Sequence, residues 1–125
     1  MPQANYDLEV IYMAISFHSL AQDCVTFRST AAVTENTVCK VSANGTVNTC
    51  SAGEAFCGVA ADSKNEQAAV IVRGFVTLPY TGSNPTLGYC TLCANGSGGV
   101  KTAEGAREYL VVQVDTAAKT VSFLL

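Results

Sequence analysis

Tryptophan is absent from this 125-residue chain, histidine occurs once, and charged residues make up only 14% of it, against about 25% in an average globular chain. Basic residues are few and scattered. Lys and Arg number 7 against 10 Asp and Glu, for a net charge of −3, whereas a nucleic-acid footprint needs a concentrated basic face to neutralise phosphates. Nucleic acid is therefore excluded as a partner. Long apolar runs are missing too: stretches such as Val10 to Tyr12 or Tyr109 to Val112 span only a few residues, far short of the ~20 residues with which a helix crosses a bilayer. The expectation is a soluble protein with no membrane partner. An export signal would begin with basic residues before its apolar block; here Asp7 and Glu9 precede that block and no Lys or Arg occurs before Arg28. Synthesis in the bacterial cytoplasm is the corresponding expectation, with the six cysteines mostly reduced and serving as small buried hydrophobes.

What is present is apolar and β-branched. Hydrophobic residues make up 49% of the chain, and the length suits one domain with a real core. From Ala68 to Leu78 the even positions are Ala68, Val70, Val72, Gly74, Val76 and Leu78, while the odd ones include Arg73 and Thr77. This alternation predicts a strand with one face inward, closed by Pro79, which lacks a ladder donor. Leu110, Val112 and Val114 alternate with Tyr109, Val111 and Gln113; beyond Asp115 to Lys119, Val121, Phe123 and Leu125 alternate with Thr120, Ser122 and Leu124. That pattern predicts a C-terminal antiparallel hairpin.

Asn44-Gly45 and Asn95-Gly96 supply the positive φ angles of type I′ turns. They predict hairpins joining Val38–Ser42 to Thr46–Cys50 and Leu87–Ala94 to Gly99–Thr102, the second through a wide glycine loop. Phe56 to Ala61 reads as a strand followed by a polar loop, Asp62 to Gln67. About seven strands follow Val38, with no amphipathic helix and no evident repeat, so the fold class is all-β: a small antiparallel β-barrel or sandwich with an N-terminal arm. Residues 1–30 are expected to form the arm or an edge segment and 31–125 a single β domain. Periodicity leaves residues 8–17 open between helix and strand. Residues 1–12 read as an upstream extension, since Met13 opens a segment that could itself be a start.

Chemistry is sparse. Cys90-Thr91-Leu92-Cys93 has redox spacing, but that motif works at a helix start. On a strand, residues three apart face opposite ways, which places Cys90 inward with Leu92 and Cys93 outward. A zinc site combining this pair with Cys50 and Cys57 lacks the two-to-four-residue spacing of common structural sites. His18 has no nucleophile elbow or other signature beside it. Asp62, Glu66, Glu104 and Glu108 read as solvated loop carboxylates. Gly96-Ser97-Gly98-Gly99 leads into Val100-Lys101-Thr102 rather than a phosphate-binding helix. No catalytic residue, metal site or cofactor is expected, and the chain is read as a non-enzyme.

Val38 to Val47, Gly58-Val59-Ala60, Val72 to Gly82 and Gly96 to Lys101, with the closing Tyr109 to Leu125, resemble capsid decoration, or head cement, proteins of phages and prophages of gut Firmicutes. The resemblance implies a virion structural protein: a small β-barrel that binds the assembled head. Its implied partners are copies of itself, as a trimer or other homo-oligomer, and the phage major capsid protein. The implied location is the capsid surface. Low charge and exposed Thr suit a protein that spreads weak contacts over repeated subunits. The segment Tyr80 to Thr86 is expected to be an exposed contact loop, with Tyr80, Gly82 and Pro85 as its contact residues. Two other readings remain open. A small ligand-binding β module would share the fold, although sugar-binding modules usually present Trp. A cysteine-based redox or metal protein would rely on Cys90 and Cys93.

Overall fold

Residues 22–30 and 33–125 are described by the computed structural model, and among them there are ten strands and no helix. β1 (Asp23–Ser29), β2 (Val38–Ala43), β3 (Thr46–Thr49), β4 (Gly58–Lys64) and β5 (Gln67–Arg73) close into a barrel in the order β1-β3-β2-β4-β5. β6 (Phe75–Thr81), β7 (Gly88–Ala94), β8 (Val100–Thr102), β9 (Glu108–Asp115) and β10 (Thr120–Leu124) close into a second, in the order β10-β6-β8-β7-β9. The chain is thus all-β and built of small barrels, as the alternation predicts, but there are two barrels and nine strands from Val38 onward. β1 pairs with β3 on one edge and β5 on the other. Residues 23–29 therefore belong to the first barrel. The expectations for residues 1–12, for the undecided segment 8–17 and for His18 lie outside the described residues.

The alternation from Ala68 to Leu78 is real, yet the stretch is two strands. Ala68, Val70, Gly74, Val76, Leu78 and Tyr80 are buried, and no odd-numbered residue between them is. Gly74, at φ 120, ends β5 and starts the crossing into β6. Only glycine reaches that conformation without strain. Pro79 does not close the strand, because it lies within β6 opposite Thr120. The β8 ladder joins β6 only from Tyr80 onward, so the N–H that Pro79 lacks is not called on there.

The two barrels share one connectivity. In each, the first strand runs parallel to the third and antiparallel to the fifth, the second pairs with the third and fourth, and the fourth pairs with the fifth. Each also carries a one-residue register shift at the same place: between Ala60 and Asp62 in the first, and opposite Ser122–Phe123 in the second. The sequences of the second strands agree as well. Cys39-Lys40-Val41-Ser42-Ala43-Asn44-Gly45 and Cys90-Thr91-Leu92-Cys93-Ala94-Asn95-Gly96 match at Cys, Ala, Asn and Gly. The connectivity thus repeats where the sequence reading finds no repeat, and even within this phrase burial differs, Val41 being 53% and Leu92 1% exposed.

Packing joins the barrels. Phe56, from the segment before β4, stacks on Tyr109 at 5.1 Å and meets Phe123 edge-on at 6.2 Å; Tyr109 and Phe123 lie 5.2 Å apart. Val38, Cys50 and Val59 of the first barrel enter the same cluster as Leu78, Leu92, Val111 and Val121 of the second. Backbone bonds reinforce this contact, from Val38 N to Gly98 O, Gly53 N to Ala94 O and Ala94 N to Glu54 O. The first barrel's own cluster is built of smaller side chains: Val33, Cys39, Val47, Ala60, Ala68 and Val70. Burial scales with apolar area, so the aromatic cluster contributes the larger share of stability.

Both Asn-Gly hairpins form where expected, as β2–β3 and β7–β8. The turn with two consecutive positive φ angles is a different one. Asn65 (φ 52) and Glu66 (φ 61) join β4 to β5, where Lys64 pairs with Gln67, so Asp62 to Lys64 are strand rather than loop. A left-handed glutamate is strained by about 1 kcal/mol, partly offset because glycine is freer in the unfolded chain. Glu66→Gly is therefore expected to stabilise the fold by about 0.5 kcal/mol, seen as a higher urea midpoint; a lower midpoint would contradict the turn assignment.

Candidate functional site

Of the three expected contact residues, the structure leaves only Gly82 exposed; Pro85 is buried. Tyr80 is the last core-facing residue of β6 and is 2% exposed. Its hydroxyl donates to Asn84 Oδ1 at 2.7 Å, and the Lys119 ammonium sits 5.4 Å from its ring centre. The expectation that Tyr80 is an exposed contact is corrected: the strand continues two residues past Pro79, and the alternation carries the ring inward.

The exposed apolar surface lies beside that loop. Leu87 and Tyr89 are 68% and 70% exposed. Tyr89 pairs with Leu110, Leu110 with Leu124, and Leu124 with Phe75, while the neighbouring Tyr109, Phe123 and Val76 are buried. Paired residues share a face of the sheet and neighbours along a strand take the opposite one. Tyr89, Leu110, Leu124 and Phe75 therefore form a row across the outside of the second barrel, over β7, β9, β10 and β6. Leu110, Leu124 and Phe75 are each half-buried. Sequence reasoning passes over this row because its members come from four separated segments; the cue in the sequence is an apolar residue at both phases of β9 and β10.

Cys90 and Cys93 lie on β7, in a strand as expected, but Cys93 is buried and Cys90 half-buried. Cys93 is covered rather than solvent-exposed, and it belongs to neither core cluster. The adjacent Ala94 exchanges backbone bonds with Gly53 and Glu54, so the loop after β3 lies against this end of β7. Among the described residues no group of three or more His, Cys, Asp or Glu could hold a metal ion, and Cys50 and Cys57 do not join Cys90 and Cys93. Asp62, Glu66, Glu104 and Glu108 are exposed.

A different pair of thiols is brought together. Cys39 on β2 pairs with Gly58 at the start of β4, and the Cys57 N–H donates to Cys39 O at 2.8 Å. The Cys39 thiol donates to Gly58 O at 3.7 Å, and the Cys57 side chain packs against the buried cluster that holds Cys39. Interaction with the Cys39 thiol, acting against burial, lowers the Cys57 thiol from its usual range to about 7. The same interaction, with burial, pushes Cys39 upward. Cys50 is pushed up to about 11, first by burial and then by the Glu54 carboxylate. Cys57 borders a shallow pocket of about 430 Å³ lined by Lys40, Val41, Glu54, Ala55 and Phe56. There the Lys40 ammonium holds Glu54 at 2.7 Å; with the Ser51 N–H at 2.6 Å, it lowers the Glu54 carboxyl. The spacing of Cys39 and Cys57 matches no motif, and only the β2–β4 pairing makes them neighbours.

The fold and surface together define an all-β protein of two tandem five-stranded barrels with an apolar band across one of them. No protein-family model matches the chain, and no curated protein is significantly similar to it.

Proposed function

We propose that this chain is a non-enzymatic structural protein of a phage head, which associates with copies of itself and binds the assembled capsid as a decoration protein. The observation that carries the reading is the row Tyr89, Leu110 and Leu124, with Leu87 nearby. Apolar patches of this kind on a rigid sheet suit protein–protein contact, with tyrosine as an anchor that brings large area at little entropic cost. No charged residue belongs to the row. Association through it would draw on buried area, and repetition over a lattice of identical subunits would multiply modest individual contacts into stable binding. In this reading the protein is made in the bacterial cytoplasm and ends on the virion surface.

Tyr89→Ser combined with Leu110→Ser tests it. Truncating two central contacts is expected to weaken self-association and capsid binding at least tenfold, as about 1–2 kcal/mol per anchor implies. Light scattering reads the first and co-sedimentation with capsids the second, while the far-UV spectrum and urea midpoint stay near those of the parent. A folded double variant with unchanged mass and unchanged capsid binding rejects the row as the contact surface.

A further inference from the structure

The first barrel holds a half-buried thiol at the edge of a pocket, with a fully buried thiol behind it. We propose that Cys57 and Cys39 form a thiol–disulfide modification site: Cys57 accepts a small-molecule disulfide from the pocket, and Cys39 resolves the adduct into an intramolecular Cys39–Cys57 disulfide. This is independent of capsid binding and of the outer apolar row.

Geometry assigns the roles. Cys39 is 0% exposed, so an incoming reagent meets Cys57, which lines the pocket with Lys40, Val41, Glu54, Ala55 and Phe56. The resolving step needs no solvent access, because the Cys57 side chain packs against the buried cluster that holds Cys39 and the two residues are tied by the Cys57 N–H to Cys39 O bond of 2.8 Å. In the first step the Cys57 thiolate attacks one sulfur of the disulfide, forming a Cys57–SR bond and releasing RS⁻. In the second, Cys39 gives its proton to the released thiolate and its sulfur attacks Cys57, so that the Cys57–SR bond breaks and a second RS⁻ leaves and takes up the proton that Cys57 shed. Two protein thiols are oxidised and one RSSR is reduced to two RSH.

Thiolate character sets the first step. Cys57 lies at about 7, below a free thiol at about 8.5, and is ionised over much of the neutral range. The groups around it act in opposite directions: the Cys39 thiol stabilises the thiolate and burial opposes it. Lys40 and Glu54 share the pocket rim, and Cys50 and Tyr109 stand near enough to feel the Cys57 charge. The cation and the carboxylate on the rim are paired with each other, which leaves the pocket close to neutral.

Oxidised glutathione and the full chain provide the test. After reaction and tryptic digestion without reductant, the expected product joins peptide 29–40, which contains Cys39, to peptide 41–64, which contains Cys50 and Cys57. Cys50→Ser should retain this link and Cys57→Ser should lose it. Cys39→Ala should stop at a glutathionyl adduct on Cys57. In the unmodified chain the rate of linking should rise with pH to a midpoint near 7. The proposal is overturned by a chain that never links these peptides, by linkage that survives Cys57→Ser, or by linkage lost in a folded Cys50→Ser variant. The first of these needs no variant to fold.

Discussion

Replacing Phe123 with alanine is expected to cost about 3–5 kcal/mol of stability, lowering the melting temperature by roughly 10–20 °C. Phe123 is completely buried and closes the aromatic cluster through which the barrels meet, edge-on to both Tyr109 and Phe56. Removing the ring takes away its transfer free energy and leaves a cavity bounded by two rigid rings and the closed β6–β10–β9 ladder, which cannot collapse to fill it. Deleting Phe123 to Leu125 adds the loss of the Leu125 N to Gly74 O bond of 2.8 Å, at the crossing between barrels. That truncation should be insoluble. A soluble truncation with an unchanged melting temperature would remove the basis for placing the C-terminal strand in the core.

Tyr80→Ala should destabilise almost as strongly, by about 3–4 kcal/mol, whereas Tyr80→Phe should cost only about 1 kcal/mol. The difference follows from how the residue is held. Its ring is packed in the second barrel's core, while its hydroxyl makes a single hydrogen bond, to Asn84. An exposed contact residue would behave the other way, with alanine leaving the urea midpoint untouched. Urea unfolding of the two variants distinguishes these outcomes, and a Tyr80→Ala protein as stable as the parent would show that the ring is not part of the core.

How far each element could be read from sequence depended on how local its cause was. Alternation in Gln67 to Arg73 and in Thr120 to Leu124 marks strands because a side chain's face is set by its immediate neighbours. The Asn-Gly hairpins were legible for the same reason. The Asn65-Glu66 turn was not, since glutamate has no preference for positive φ and takes it here only because the β4–β5 ladder closes on both sides. Pro79 misled in the opposite way. Its local rule is to end a strand, but the rule applies only where a neighbouring strand asks for the missing donor, and β8 does not reach it.

The candidate sites divide along the same line. Cys90 and Cys93 drew attention by their spacing, yet they lie on a strand that holds them on different faces. Cys39 and Cys57 have no recognisable spacing and are adjacent in space. Tyr89, Leu110, Leu124 and Phe75 form a surface row only through three separate strand pairings. The repeated connectivity escaped notice because its record lies in strand pairing and bulge position.

Composition and alternation by themselves determined that this chain is all-β and poor in charge, because these properties depend on each residue and its nearest neighbours. Which strands pair, where one barrel ends and the next begins, which tyrosine is core and which is surface, and which two of six cysteines meet were decided by the tertiary structure. Those facts depend on registers between distant segments, and a one-residue shift in any of them would turn a different set of side chains outward.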